Sequence, residues 1–389
     1  MLKRILLKPR FEGHKIHSLY SEIIRNPPPG YAIEYSDKFI QNSRIYTLDN
    51  KAANPVLREL IYHLKPIIYI ASQKKQKNNF EGYDMVYASQ HVLFNSSIPW
   101  VTDLEFVNAL AAFGNVSLIK NGIRKQLETE KCKFIMPWSE WAKETLILSM
   151  DYSKFKEKIK VIRYTVNPKK VVKHKHDGIE FLFVGSSNPM NVRNIQFKNL
   201  KETILAFNRI SEKYDGVHLT LRSYLPPNLK FLVEHNPMIS IIDSFLDIED
   251  LYKLYLNADI FVLPSHETCG IAILDAMSFE LPVIAMNIYD MPEVITHMQN
   301  GILIDGHKDM QYYTKYKSPS DYSWKFVSGI RKYSDYIVNQ LELYFTKLVE
   351  DSSLRNKLAM EARKTIEKGR LSIEKRNKDL AEVFEATTK

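Results

Sequence analysis

The stretch ADIFVLPSHETCGIAILDAM, residues 258–277, decides how this chain is read. DIFVLP is a short apolar run ended by Pro264, as a strand is. From Gly270 to Met277 the residues read as the first turns of a helix. A strand, a loop and a helix follow one another, and in an open α/β sheet that loop lies at the carboxyl edge, where ligands bind. Two acids bracket the helix start, Glu267 and Asp275, with seven residues between them. They do not share a helical face at i,i+4 spacing. The backbone N–H groups of Cys269, Gly270 and Ile271 would point outward with the helix dipole behind them, which suits a phosphate or a sugar hydroxyl. Gly270 lets a ligand approach the backbone closely. Spacing alone leaves the acids open. They are two grips on one long ligand, or a helix-dipole complement beside a surface acid. A glycosidase pair fits poorly, because its acids must flank one scissile bond. A metal site fits poorly too, because no His or Asp cluster stands at ligand spacing.

Working outward, the same alternation fills the chain. Strand-length runs are RILLKP (4–9), YAIEY (31–35), RIYTL (44–48), IIYI (67–70), DMVYAS (84–89), PWVTDLE (99–105), KFIMPWS (133–139) and KVIRYTV (160–166). Helices fit 14–26 and 55–65 between them. At 166–178 the chain turns polar and basic, then restarts with IEFLFVG (179–185). A helix over 198–214, strands at 218–224 and 239–245, and a helix behind Asp247 lead back to the opening stretch. LPVIAMN (281–287) and GILID (301–305) complete the sheet, and the tail is helical from about 332. This βαβ rhythm predicts an α/β protein of two doubly wound, Rossmann-like domains, residues 1–172 and 173–369, facing across a cleft. Residues 306–331 break the rhythm and read as an exposed insertion, rich in aromatics and lysines.

Composition narrows the class. Of 389 residues 45% are hydrophobic, enough for two cores. No apolar run approaches the roughly 20 residues of a membrane-spanning helix. The start, MLKRILLKPRFEG, is too short in apolar residues for a signal peptide, so a cytoplasmic protein is expected. Cys132 and Cys269 stand far apart, and neither a metal site nor a disulfide is expected of them. Residues 1–172 carry 27 Lys+Arg against 16 Asp+Glu, and the remaining 217 carry 27 against 29. The positive excess sits in the first half, as a solvated lysine-rich surface or as a face for an anionic membrane or acceptor. No nucleic-acid motif accompanies it.

Beyond these readings, residues 258–304 resemble the donor-binding region of the family 4 glycosyltransferases of GT-B fold. The shared pattern is a strand ending in Pro-Ser, a Glu, a Gly, a second acid eight positions after the first, then Ala-Met. A Leu-Pro-Val-Ile strand, a Pro-Glu and an Asn-Gly follow, and this chain has each in order. The second acid is Asp275 where Glu is usual, one methylene shorter. FLFVGSS and FKNLKETILAF (181–207), SEWAKET (139–145) and KVIRYTVN (160–167) extend the likeness. LSIEKRNKDLAEVFEA (371–386) resembles the family's last helix, so residues from about 370 to 389 are expected to pack back on the first domain.

The resemblance implies a retaining transfer from a UDP- or GDP-sugar to a glycan or lipid-linked acceptor, in polysaccharide or glycoconjugate synthesis. It implies Glu267 on the donor sugar, Asp275 on the ribose, and Lys198 at the diphosphate. The loop arginine that the family places after the strand glycine, here Gly185, is absent, and Arg193 stands as its substitute. Two cations at the diphosphate replace a metal ion, so no metal or other cofactor is expected. In the first half, Gly13, with His14 and Lys15, is either a phosphate-side loop or a plain one. The family's histidine after the strand 99–105 is replaced by Glu105 or Asp103, an acceptor contact or a structural acid. His91 and the His-Lys-His at 174–176 read as structural and as a solvated linker. Rival readings are a non-catalytic sugar-nucleotide binding module and a sugar-nucleotide epimerase of the same fold.

Overall fold

The computed structural model describes residues 2–10, 18–35, 55–75, 80–172, 176–187, 197–268, 270–307 and 331–389. The chain divides into two compact units. One holds residues 1–165 and 373–389, the other 166–372.

The first unit is a five-stranded sheet in the order β2-β1-β3-β4-β5, parallel throughout. Its strands are β1 (Lys3–Pro9), β2 (Tyr31–Tyr35), β3 (Met85–Ser89), β4 (Trp100–Leu104) and β5 (Cys132–Pro137). Every residue of β3 and β4 is buried. A central parallel strand is covered on both faces, so its sequence runs apolar instead of alternating. The last helix, Ile373–Thr388, belongs to this unit. Phe384 packs edge-on against Tyr31 and Tyr87, Arg376 donates to the carbonyl of Asn26, and Lys160 pairs with Glu382 at 2.6 Å.

The second unit is a six-stranded parallel sheet in the order β11-β10-β9-β6-β7-β8. Its strands are β6 (Ile179–Val184), β7 (Val217–Arg222), β8 (Ile239–Ile242), β9 (Ile260–Leu263), β10 (Val283–Met286) and β11 (Ile302–Ile304). From β6 the chain winds outward through β7 and β8, then returns to β6's other side with β9. The winding direction reverses there, so crossover loops leave the sheet on opposite sides and open a crevice at the carboxyl ends of β6 and β9. The helix Leu200–Ser211 packs on the sheet, and the helix Ser334–Glu350 packs beside it. Phe345 there reaches the Phe181 ring at 4.9 Å between centroids.

Three local expectations need comment. IIYI (67–70) is helical, part of Pro55–Lys75. Pro66 does not end that helix. Its buried residues, Lys65, Pro66, Tyr69, Ile70 and Gln73, repeat at helical spacing, while Ile67 and Ile68 stay half exposed. The short apolar run beside Pro66 fits a strand by composition, but its buried positions follow the helical period. KVIRYTV (160–166) runs extended beside β5, bonded from Lys160 and Ile162 to Ile135 and Pro137, but forms no strand of its own. RIYTL (44–48) and nearly all of the 306–331 insertion lie outside the described residues.

Candidate functional site

The strand β9 ends at Leu263, and Pro264 to Thr268 lead to the helix Ile271–Ser278. Opposite lies the segment Phe197–Asn199, which opens the helix after β6. The two are fastened by two bonds that flank Lys198. The N–H of His266 donates to the carbonyl of Phe197 at 2.7 Å, and the Asn199 amide donates to the carbonyl of Pro264 at 2.7 Å. Asn199 is fully buried and holds φ of 52°, a left-handed conformation that asparagine tolerates better than most residues. Lys198 is thereby carried to Glu267, with Nζ 2.5 Å from Oε2. The Ser265 hydroxyl donates to the same oxygen at 2.9 Å. Both charged side chains are partly exposed, 19% and 25%. A pair so wet contributes about 1 kcal/mol or less to stability. Stability alone does not explain why two buried hydrogen bonds, one main-chain and one from the Asn199 side chain, are used to hold it.

The N-cap residue of the helix Ile271–Ser278 is Gly270, which has no side chain to cap it. A Cβ on Gly270 would meet nothing within 4 Å, so neither packing nor its φ of −99° demands glycine there. Its bareness leaves the helix start approachable, with Ile271 as the first helical residue. Cys269 lies outside the described residues. Asp275 is buried in the second turn, with Oδ1 3.8 Å from Nζ of Lys169. That ammonium also lies 4.8 Å from the Tyr252 ring centroid. Glu267 and Asp275 therefore sit against different cations, on either side of the helix start.

Gly185, just past β6, answers to packing. A Cβ there would come within 2.5 Å of the Ser223 hydroxyl oxygen and 2.9 Å of its Cβ. Asn300 and Gly301, part of the pattern read above, are likewise structural. Asn300 accepts from the N–H of Thr296 and donates to Val294 and Thr365, shaping the turn into β11.

In the first unit, Asp103 and Glu105 separate clearly. Asp103 is buried and accepts from Tyr20, Tyr87, the Gln90 N–H and the Trp138 indole. Burial raises its pKa against the pull of those donors. Glu105 follows β4, half-buried, and its charge acts on the buried guanidinium of Arg10. His91 is fully buried with Nδ1 3.0 Å from the Ser89 carbonyl, and burial pushes its pKa down to about 3. It is a neutral interior histidine. Gly13, Arg193 and the first two residues of the 174–176 stretch lie outside the described residues; His176 stands 3.5 Å from Asp259. Among the described residues no group of three or more His, Cys, Asp or Glu could hold a metal ion, and no helix is long and apolar enough to cross a membrane.

The family described as "Glycosyl transferases group 1" matches residues 178–316, the span that holds Lys198, Glu267 and Asp275. This span is a group 1 glycosyl transferase domain. A sulfoquinovosyl transferase of Arabidopsis thaliana is 37% identical over 65 residues, 16% of this chain and 13% of that protein. Among solved structures, a sucrose-phosphate synthase from Thermosynechococcus elongatus superposes with a TM-score of 0.62 at 14% identity, covering 98% of each chain. HepE of Anabaena, solved in complex with UDP, superposes with a TM-score of 0.59 at 14% identity, covering 99% of this chain and 100% of its own. At these identities the likeness shows the fold, two parallel α/β units of the GT-B class.

Asn199 and Ser265 were missed by the sequence reading. An asparagine at a helix start ordinarily serves as a cap. Its actual bond crosses to Pro264, which only the fold reveals.

Proposed function

We propose that the chain is a retaining glycosyltransferase that moves a sugar from a UDP- or GDP-sugar to a glycan or lipid-linked acceptor, without a metal ion. One observation carries this. Lys198 and Glu267, 69 positions apart, meet at the winding reversal of the sheet, beside the helix start at Gly270. A nucleoside diphosphate leaving group gains negative charge as the glycosidic bond breaks. An ammonium fixed before the reaction stabilises that charge without reorganising. Glu267 shares Lys198 with the ligand and accepts hydrogen bonds from sugar hydroxyls. Asp275 serves the ribose from its place beside Lys169. The donor found on HepE is in keeping with this reading. Glu105, at the end of β4, takes the acceptor hydroxyl. The basic first half brings the enzyme to an anionic acceptor or to the cytoplasmic face of a membrane.

The test is a panel of UDP- and GDP-sugars with glycan and lipid acceptors, read by nucleotide release and by the anomeric configuration of the product. Release with one donor and a retained anomer are expected. No release with any donor and acceptor sinks the proposal. Binding to anionic vesicles at low salt that fades at high salt is expected of the basic half, and its absence at low salt removes the membrane part.

A further inference from the structure

We infer that Arg222, at the end of β7, supplies a second positive charge to the donor diphosphate. The inference rests on the nucleotide-sugar reading and adds a residue to it. A diphosphate needs more charge than Lys198 offers, because that ammonium is already shared with Glu267 at 2.5 Å. Arg222 is the last residue of the strand beside β6, so it stands at the same carboxyl edge. Its Nη1 donates to the carbonyl of Gly185 at 3.0 Å, which pins the guanidinium at the point where β6 gives way to its loop. The neighbouring main chain is fixed as well. The N–H of Gly185 donates to the Arg222 carbonyl at 2.8 Å, and Ser223 presses on the bare α-carbon of Gly185.

What marks the guanidinium is an unsatisfied donor. Its Nε is buried and has no hydrogen-bond partner, and no carboxylate pairs with the side chain among the described residues. A buried N–H without a partner is costly, and more so when charged. The surroundings add to that cost. Burial lowers the guanidinium's pKa, and Tyr255 opposes that shift. Tyr255 in turn donates to the carbonyl of Ala272 in the helix that begins at Gly270. Arg222 thus stands on the edge that runs from Gly185 toward the Asp275 helix. That edge is where β6 gives way to the loop leading to Lys198. A phosphate oxygen fits the part of the planar guanidinium that is not buried, and a charge-assisted bond there offsets the desolvation.

Calorimetry with UDP, GDP, uridine and guanosine on the whole protein tests this. The wild type should bind one of the two diphosphates. Arg222→Met should weaken that diphosphate about 10- to 100-fold. Affinity for the matching nucleoside should not change, and Arg222→Lys should recover part of the loss. Equal diphosphate binding by wild type and Arg222→Met overturns the assignment. So does an equal loss of diphosphate and nucleoside, which marks a structural role. Should Arg222→Met fail to fold, Arg222→Gln is read in the same way. If the wild type binds neither diphosphate, the nucleotide-sugar reading falls and takes this assignment with it.

Discussion

Asp103 and Glu267 stand at the carboxyl edges of the two sheets and are held in opposite ways. Asp103 is buried and takes hydrogen bonds from four residues. Its oxygens have nothing left to offer a ligand. Glu267 is a quarter exposed, and all of its described bonds, from Lys198 and Ser265, fall on Oε2. The comparison teaches how to tell a structural acid from a functional one when both lie at a sheet's ligand edge. A carboxylate saturated by buried donors builds the domain. One held by a single oxygen, at a modest gain in stability, is placed for something else.

Mutation separates the two acids. Lys198→Ala and Glu267→Ala are each expected to lower transfer by about a thousandfold or more, with thermal melting within a few degrees of wild type. Full turnover in Lys198→Ala would remove the diphosphate role. Asp103→Asn is expected to do the reverse. It turns an acceptor of four bonds into a group whose amide faces donors, and should lower stability by about 2–4 kcal/mol in urea unfolding. Nucleotide binding by the folded fraction should be unchanged, and a selective loss of binding would move Asp103 into the site. Asn199→Ala is expected to lie between them in character and to be milder. It removes the bond to Pro264 and strains the left-handed φ, costing about 1–2 kcal/mol. Its signature is a larger drop in turnover than in stability, because Lys198 loses its anchor.

The smallest effect is a pH dependence. His91 has its folded pKa pushed down to about 3 from an ordinary value near 6.5. Between those values the unfolded chain binds a proton that the folded one refuses. Stability is therefore full above about pH 6.5 and falls as pH drops toward 3. His266, pushed down to about 4, acts in the same direction. Urea unfolding at pH 7.5 and 5 should show a smaller loss for His91→Gln than for wild type. An equal loss in both would mean that His91 is not the buried, neutral group described above.

Much of the fold was legible from the residues. The runs of β3 and β9 are buried along their whole length, so each announces itself by apolar residues without alternation. The helix Ile248–Asn257 was marked by Asp247, whose side chain accepts from the N–H of Asp250 at 2.8 Å. The reading failed at Tyr69 and Ile70, where a short apolar run beside a proline fits strand and helix equally well. Only the position of its buried face decides, and that belongs to the packing.

By itself the sequence determined the two α/β units, the strand–loop–helix crossing at 259–277, and the pair of acids around its helix start. It did so because local patterns of polarity carry that information. Tertiary structure alone decided which partners those acids have. Lys198 reaches Glu267 across 69 positions, Lys169 reaches Asp275 across 106, and Arg222 reaches Gly185 across 37. Strand order sets each of these meetings, and strand order is fixed by long-range pairing that no local stretch of residues encodes.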